Sequence, residues 1–192
     1  MNRFLLGMLS PAWRTKLCGG IGIKGEQLLD MDEEDPSLFL KVVALGCGNT
    51  VAMDGGLEEL VRLARMADKY QVAAILADVE QAVLDRLTVD NCGLILSMIS
   101  GSGLVRLERA SRELALREFD HFAESQGFMD VSEEVLGSLL DDDALISESE
   151  ELVLKGIVRW MKGKDEGEIR GEGLLRNLQD PVSVHARRIS CR

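Results

Sequence analysis

From Leu57 to Met161, apolar residues recur at three- and four-residue spacing in short runs with little chain between them. Leu57, Leu60, Val61, Ala64 and Ala67 make the first run, with Glu58 and Glu59 in the opening turn, where the helix dipole favours acids. It predicts a helix ending near Tyr70, the only tyrosine. A second run, Val72, Ile75, Leu76, Val79, Val83, Leu84 and Leu87, follows almost at once and stops at TVDN. Asp90 or Asn91 is placed to cap a third, Leu94 to Ile99, which ends in SGSG at Ser100–Gly103. A longer helix is expected through Leu104, Leu107, Ala110, Leu114 and Phe119, and another starting at Ser132. Ser147 and Glu150 form a capping-box pattern ahead of Val153, Leu154, Ile157, Val158 and Trp160. This is the pattern of short antiparallel helices.

Composition agrees. Hydrophobic residues make up 46% of the 192 and aromatics only 4%, so Leu, Val, Ile, Ala and Met must fill the core, which suits helix-on-helix packing. The first 56 residues read differently: EQLLDM and TVAM, flanked by Gly, Asp or Asn, predict two brief strands around a helical stretch at Leu38–Leu45. The expected fold is therefore mostly α, with an α/β N-terminal third.

Several function classes are disfavoured. A net charge of −11, with basic residues scattered among acids, is wrong for nucleic acid; the tail His185–Arg192 is the one basic exception and reads as a solvated end. Cys18, Cys47, Cys92 and Cys191 have no zinc-ligand spacing, so no metal or cofactor is expected and the thiols read as reduced and intracellular. No 18-residue apolar stretch crosses a membrane, and Phe4–Leu9 is too short for a signal core. GGIGIKGE at Gly19–Glu26 lacks the Gly-Lys-Ser/Thr of a phosphate loop, and DDDALISESEE at Asp141–Glu151 lacks the glycine turn of a calcium loop. Cys92 has no nearby base and reads as a small buried residue, and His121 as a surface cation late in a helix. No catalytic constellation can be assembled, so an enzyme is not expected.

Taken in order, the motifs resemble a BTB/POZ domain followed by a BACK domain, the arrangement of kelch-like proteins. LSPAWRTKL at Leu9–Leu17 resembles the BTB helix start SPxFRxM, with Trp13 in the place of Phe. LLDMDEEDPSLFLKVVALGCGNTVAM resembles the strand, the D-x-x-P-x-x-F helix entry and the YxGxV strand that follow; LARMADKYQV resembles LAxxADKYxV. LTVDNC at Leu87–Cys92 is similar to the entry into the linking helices, and GFMDVSEEVLGSLLDDDALISESEELVLKGIVRWM to the BACK pattern ending in Trp. LLRNLQDPV at Leu174–Val182 stands where the family has LLxxIRFPL.

The resemblance implies a partial BTB/POZ domain over residues 1–86, a BACK domain of short antiparallel helices over 87–182 and a basic tail at 183–192. It implies a cytoplasmic protein, with the nucleus as a second compartment, serving as a non-enzymatic adaptor arm of a cullin-3 RING ubiquitin ligase. Ile21, Asp68 and Tyr70 are then the candidate docking residues, Ile21 as an apolar knob, and packing at the helix bend is the alternative role for Tyr70. Members that bind cullin-3 carry a φ-x-E motif, and here Ile23 replaces its glutamate; the lost charge-assisted hydrogen bond is worth about 1.5–3 kcal/mol. The alternative function is a structural or regulatory BTB–BACK segment that associates with other proteins without recruiting a ligase. With the family's opening strands expected to be missing, EQLLDM and TVAM would have open edges, which implies BTB-type self-association.

Overall fold

The structure, a computed structural model, describes residues 3–18, 35–49, 53 and 55–164. The described chain is mostly helical: α1 (Arg3–Leu9), α2 (Pro11–Cys18), α3 (Pro36–Gly46), α4 (Leu57–Lys69), α5 (Ala73–Leu84), α6 (Val89–Ile99), α7 (Val105–Arg117), α8 (Phe119–Glu124), α9 (Glu133–Leu140) and α10 (Glu150–Gly163). The expected strand EQLLDM, all of TVAM except Met53, Ile21 and the tail lie outside the described residues. No helix among the described residues is long and apolar enough to cross a membrane. By internal contacts the chain divides into two compact units, Met1–Arg86 with Gly101–Leu107, and Leu87–Ser100 with Glu108–Arg192.

In the first unit α4 and α5 pack most extensively, and α3 lies against both. Helix α3 starts where Asp35 accepts hydrogen bonds from the amides of Ser37 (2.9 Å) and Leu38 (3.5 Å), with Pro36 supplying the fixed φ of a first turn. On α4 the buried residues Leu60, Val61, Leu63, Ala64, Met66 and Ala67 form one broad face, leaving Arg62, Arg65 and Lys69 exposed on the other. The helix closes in a Schellman motif: Val72 N–H bonds Ala67 O (2.8 Å) and Gln71 N–H bonds Asp68 O (2.9 Å). Gln71 takes the left-handed conformation this requires, at φ 55°. The chain thus turns and restarts as α5 within three residues, without the usual glycine.

Glu80, on α5, is only 9% exposed, and burial pushes its carboxyl pKa up, with Arg106 opposing the shift and Asp68 adding to it. A folded-state pKa above the unfolded value means that stability falls as pH rises from the ordinary glutamate value of 4.5 through the raised folded one. Glu80→Gln should therefore make the protein more stable than wild type at pH 7, with the advantage gone at pH 3.5, in thermal melts at the two pH values.

The second unit is built around Phe119, Phe122 and Phe128, whose rings meet edge to face at centroid distances of 5.2–6.4 Å. Cys92 and Leu96 of α6, Leu136 and Leu139 of α9, Leu145 from the loop after α9, and Trp160 of α10 complete this core. Trp160 is 1% exposed, and its indole N–H donates to Val131 O at 2.9 Å, so the acceptor its burial requires is present.

Three local expectations are corrected. The cap of α6 is Thr88, whose side chain takes the amide at position 91 while Asn91 Oδ1 accepts from Thr88 N–H (2.9 Å); Asp90 and Asn91 lie inside the helix. The long helix expected through Phe119 breaks at Glu118, so α7 and α8 are separate. Helix α10 is capped by Ser149, which accepts from Leu152 N–H (3.3 Å), because the Ser147 hydroxyl is instead donated to Asp120.

Candidate interaction surface

Ser10 joins the start of α2 to the end of α4. Its hydroxyl oxygen accepts the Trp13 amide hydrogen (3.0 Å), capping α2, while the hydroxyl donates to the Tyr70 carbonyl oxygen. Trp13, with none of its surface exposed, lies 5.3 Å from the ring of Phe39 on α3 and 5.3 Å from Tyr70. Its Nε1–H has no hydrogen-bond partner among the described residues, a cost that phenylalanine at this position would not carry. Ser10→Ala loses the cap of α2 and the bond to α4 together, and we expect about 2 kcal/mol of destabilisation in denaturant unfolding. An effect under about 0.5 kcal/mol would contradict this joint.

Tyr70 is 4% exposed, with the ammonium groups of Lys16 and Lys69 at 6.0 and 5.5 Å from its ring centroid. Its contacts are those of packing at the bend, so what it would offer a partner is the surface it supports rather than its own area. Asp68 is half-buried, and its Oδ2 accepts the Gly103 amide hydrogen at 3.1 Å. A side chain on Gly103 would meet that carboxylate at 3.0–3.1 Å, so SGSG, expected only as a flexible helix end, is a fitted turn held by Asp68. Asp68 and Tyr70 thus share the end of α4, each engaged within the first unit; the third candidate, Ile21, is outside the described residues.

Around them α4 presents Arg62, Arg65 and Lys69 along one exposed line. Sequence reasoning passed over this stripe; the i, i+3, i+7 spacing of the three cations was the available signal.

The residues weighed for chemistry have structural surroundings. Cys92 is fully buried, its thiol donates to Val89 O at 3.3 Å, and burial pushes its pKa up to about 12. A neutral thiol that water does not reach is a poor nucleophile. Cys47 is exposed, so thiol labelling of the native protein should modify Cys47 and leave Cys92 untouched until denaturant is added, as peptide mass spectrometry would read. His121 is exposed as the third residue of the six-residue α8, its Nδ1 3.5 Å from Glu118.

The acidic stretch at Asp141–Glu151 is engaged with its own chain. Asp142 pairs with Arg112 at 2.8 Å; its pKa is lowered by the Ala144 amide and then by Arg112. Ser147 and the Glu148 amide are both held by Asp120. Among the described residues no cluster of His, Cys, Asp and Glu is arranged to hold a metal ion.

Residues 92–179 match the BACK family, described as BTB And C-terminal Kelch. Human Kelch-like protein 41 is 22% identical over 170 residues, which is 88% of this chain and 28% of the relative. Kelch-like protein 40 of Xenopus tropicalis is 21% identical over 86% of this chain and 27% of its own length. Kelch repeat and BTB domain-containing protein 8 of Danio rerio is 22% identical over 84% of this chain and 26% of its own. The chain thus spans little more than a quarter of the curated relatives it matches. Residues 92–179 thus carry a BACK match, and the chain is similar to kelch-like proteins through most of its length.

Proposed function

We propose that this protein is a non-enzymatic protein-interaction module that works as the adaptor arm of a cullin-3 RING ubiquitin ligase, in the cytoplasm. The observation that carries the reading is the continuity of kelch-like similarity over 88% of the chain, spanning both the LARMADKYQV region and the BACK match. In this reading residues 1–86 are the BTB part and 87–182 the BACK part, and the cullin docks at the end of α4. Ile21 contributes an apolar knob, Asp68 and Tyr70 hold the surface in shape, and the cations of α4 border it. Pull-down with a cullin-3 N-terminal domain tests it. Binding that weakens on Ile21→Asp supports the adaptor, and no binding at tens of micromolar sinks it.

One observation favours a second reading. Ile23 removes the carboxylate with which the φ-x-E motif would grip a cullin, which favours a regulatory segment that pairs with other BTB or BACK proteins and recruits no ligase. Ile23→Glu separates the two: cullin binding gained only in that variant would support the regulatory role for the natural chain.

A further inference from the structure

With 33 acids against 22 lysines and arginines, a cation in this chain has acids to choose from, and most arginines are engaged by their own chain. Arg109, Arg112 and Arg117 pair with carboxylates, Arg14, Arg86 and Arg159 donate to backbone carbonyls, and Arg106 donates to Gln81. Arg62 and Arg65 differ: both are exposed on α4 and form no hydrogen bond or ion pair among the described residues. Glu58 stands one turn before Arg62, at the spacing and in the order that favour a helix ion pair, yet the pair is not made. The other acids of α4 are committed elsewhere, Glu59 to Lys41 and Asp68 to the Gly103 amide. Asp35 is held chiefly by the Ser37 hydroxyl and amide, and Arg62 is the weakest of the influences that lower its carboxyl pKa. Lys69 continues the line one turn on, and Lys16 of α2 meets it there, the two ammonium groups lying 5.5 and 6.0 Å from the Tyr70 ring centroid.

We propose that Arg62, Arg65, Lys69 and Lys16 form a docking surface for a partner protein, and that the partner's docking segment is a helix with carboxylates along one face. The proposal rests on the reading of this chain as a protein-interaction module, whichever protein it recruits. Charge complementarity selects the occupant. The line from Arg62 to Lys69 is about 10 Å long and carries its charges at i, i+3 and i+7, so acids at the same spacing on a facing helix meet it one for one. Guanidinium groups without partners are preorganised to take carboxylates bidentately. Longer polyanions fit less well, because a nucleic acid or an anionic membrane extends past four cations and meets the field of a chain with net charge −11. The buried face of α4 and the aromatic contacts of Tyr70 hold the line straight, so little order has to be gained on docking.

The test uses the full chain and a fluorescein-labelled alanine-based helical peptide with glutamates at i, i+3 and i+7, read by fluorescence anisotropy at about 20 mM salt. The patterned peptide should bind at least about fivefold more tightly than a scrambled peptide of the same composition, whose glutamates ring the helix. Arg62→Glu with Arg65→Glu should weaken binding about tenfold or more, while Arg62→Lys with Arg65→Lys keeps part of it. Arg109→Glu, at an exposed arginine on α7, should leave binding unchanged. Equal affinity for the two peptides overturns the proposal, and so does an equal loss from Arg109→Glu, which would show attraction to charge in general. Tighter binding of single-stranded oligo(dT) or of phosphatidylserine vesicles, lost in the Arg62/Arg65 double variant, overturns it in favour of another class of partner. Absence of peptide binding also overturns it, and a cullin pull-down that still succeeds would then show that the interaction-module reading survives without this surface.

Discussion

Trp160→Ala should destabilise the second unit by about 3–5 kcal/mol, the range for removing a large aromatic from a packed core. Trp160 is 1% exposed, shares a cluster with Phe128, Val131, Leu136 and Leu139, and sits on the helix that packs on α8. Little water can fill the space it leaves, because the surroundings are apolar. Trp160→Phe divides the effect in two. It retains much of the ring's burial but leaves Val131 O without its indole donor, so about 1–3 kcal/mol should be lost through that carbonyl and the smaller volume. Urea unfolding followed by circular dichroism would order the three proteins as wild type, Phe, Ala. Trp160→Ala with an unchanged midpoint would show that α10 does not hold this unit together.

The helices were legible because each needs only a local pattern: an apolar stripe and a polar stop. Helix α4 is the clearest case, its buried face running from Leu60 to Ala67 as the spacing requires. Capping was harder to read, because a serine can answer to a distant group. Ser147 has the better capping-box spacing to Glu150, yet Asp120, from α8, takes its hydroxyl and the Glu148 amide, and the cap passes to Ser149. The break at Glu118 has no glycine or proline to mark it, and Leu116 and Phe119 on either side of it are both buried in the same core. At the cap, a tertiary contact overrode local preference.

At the candidate surface the sequence picked out residues but not their duties. Tyr70 was visible as a lone aromatic at a bend, but its neighbours Trp13 and Ser10 are some sixty positions away and share no local pattern with it. Asp68 was visible as a charge beside the bend, and its hold on the Gly103 amide spans 35 positions. A charged residue near a recognised motif invites a reading as a partner contact, while a buried or half-buried one is more often engaged by its own backbone. The exposed stripe Arg62, Arg65 and Lys69 needed no tertiary information, and was obscured only by the net charge of −11.

Gly93 and Gly137 both lie inside helices, and alanine at the two should act with opposite signs. On propensity alone each substitution would gain about 0.5–1 kcal/mol, because glycine surrenders more backbone freedom than alanine. At Gly137, on α9, a new Cβ meets nothing within 4 Å, so that gain should be realised. At Gly93, on α6, a Cβ would be driven into the Gly127 carbonyl, with its carbon 2.9 Å away and Val131 Cγ2 2.8 Å away. The fit is mutual, since a Cβ on Gly127 would enter the Asp90 carbonyl, whose carbon is 2.8 Å away. Backbone cannot rotate aside as a side chain can, so α6 and the turn before Phe128 must separate. We expect Gly93→Ala to lose about 2–3 kcal/mol net. Trp13 and Trp160 lie in different units, so a Trp13→Phe background leaves Trp160 as the sole indole, and its fluorescence reports unfolding of the second unit alone. A gain at both glycines would mean that the α6 contact yields as readily as open solvent, and the close approach would then have no part in holding the BACK helices together.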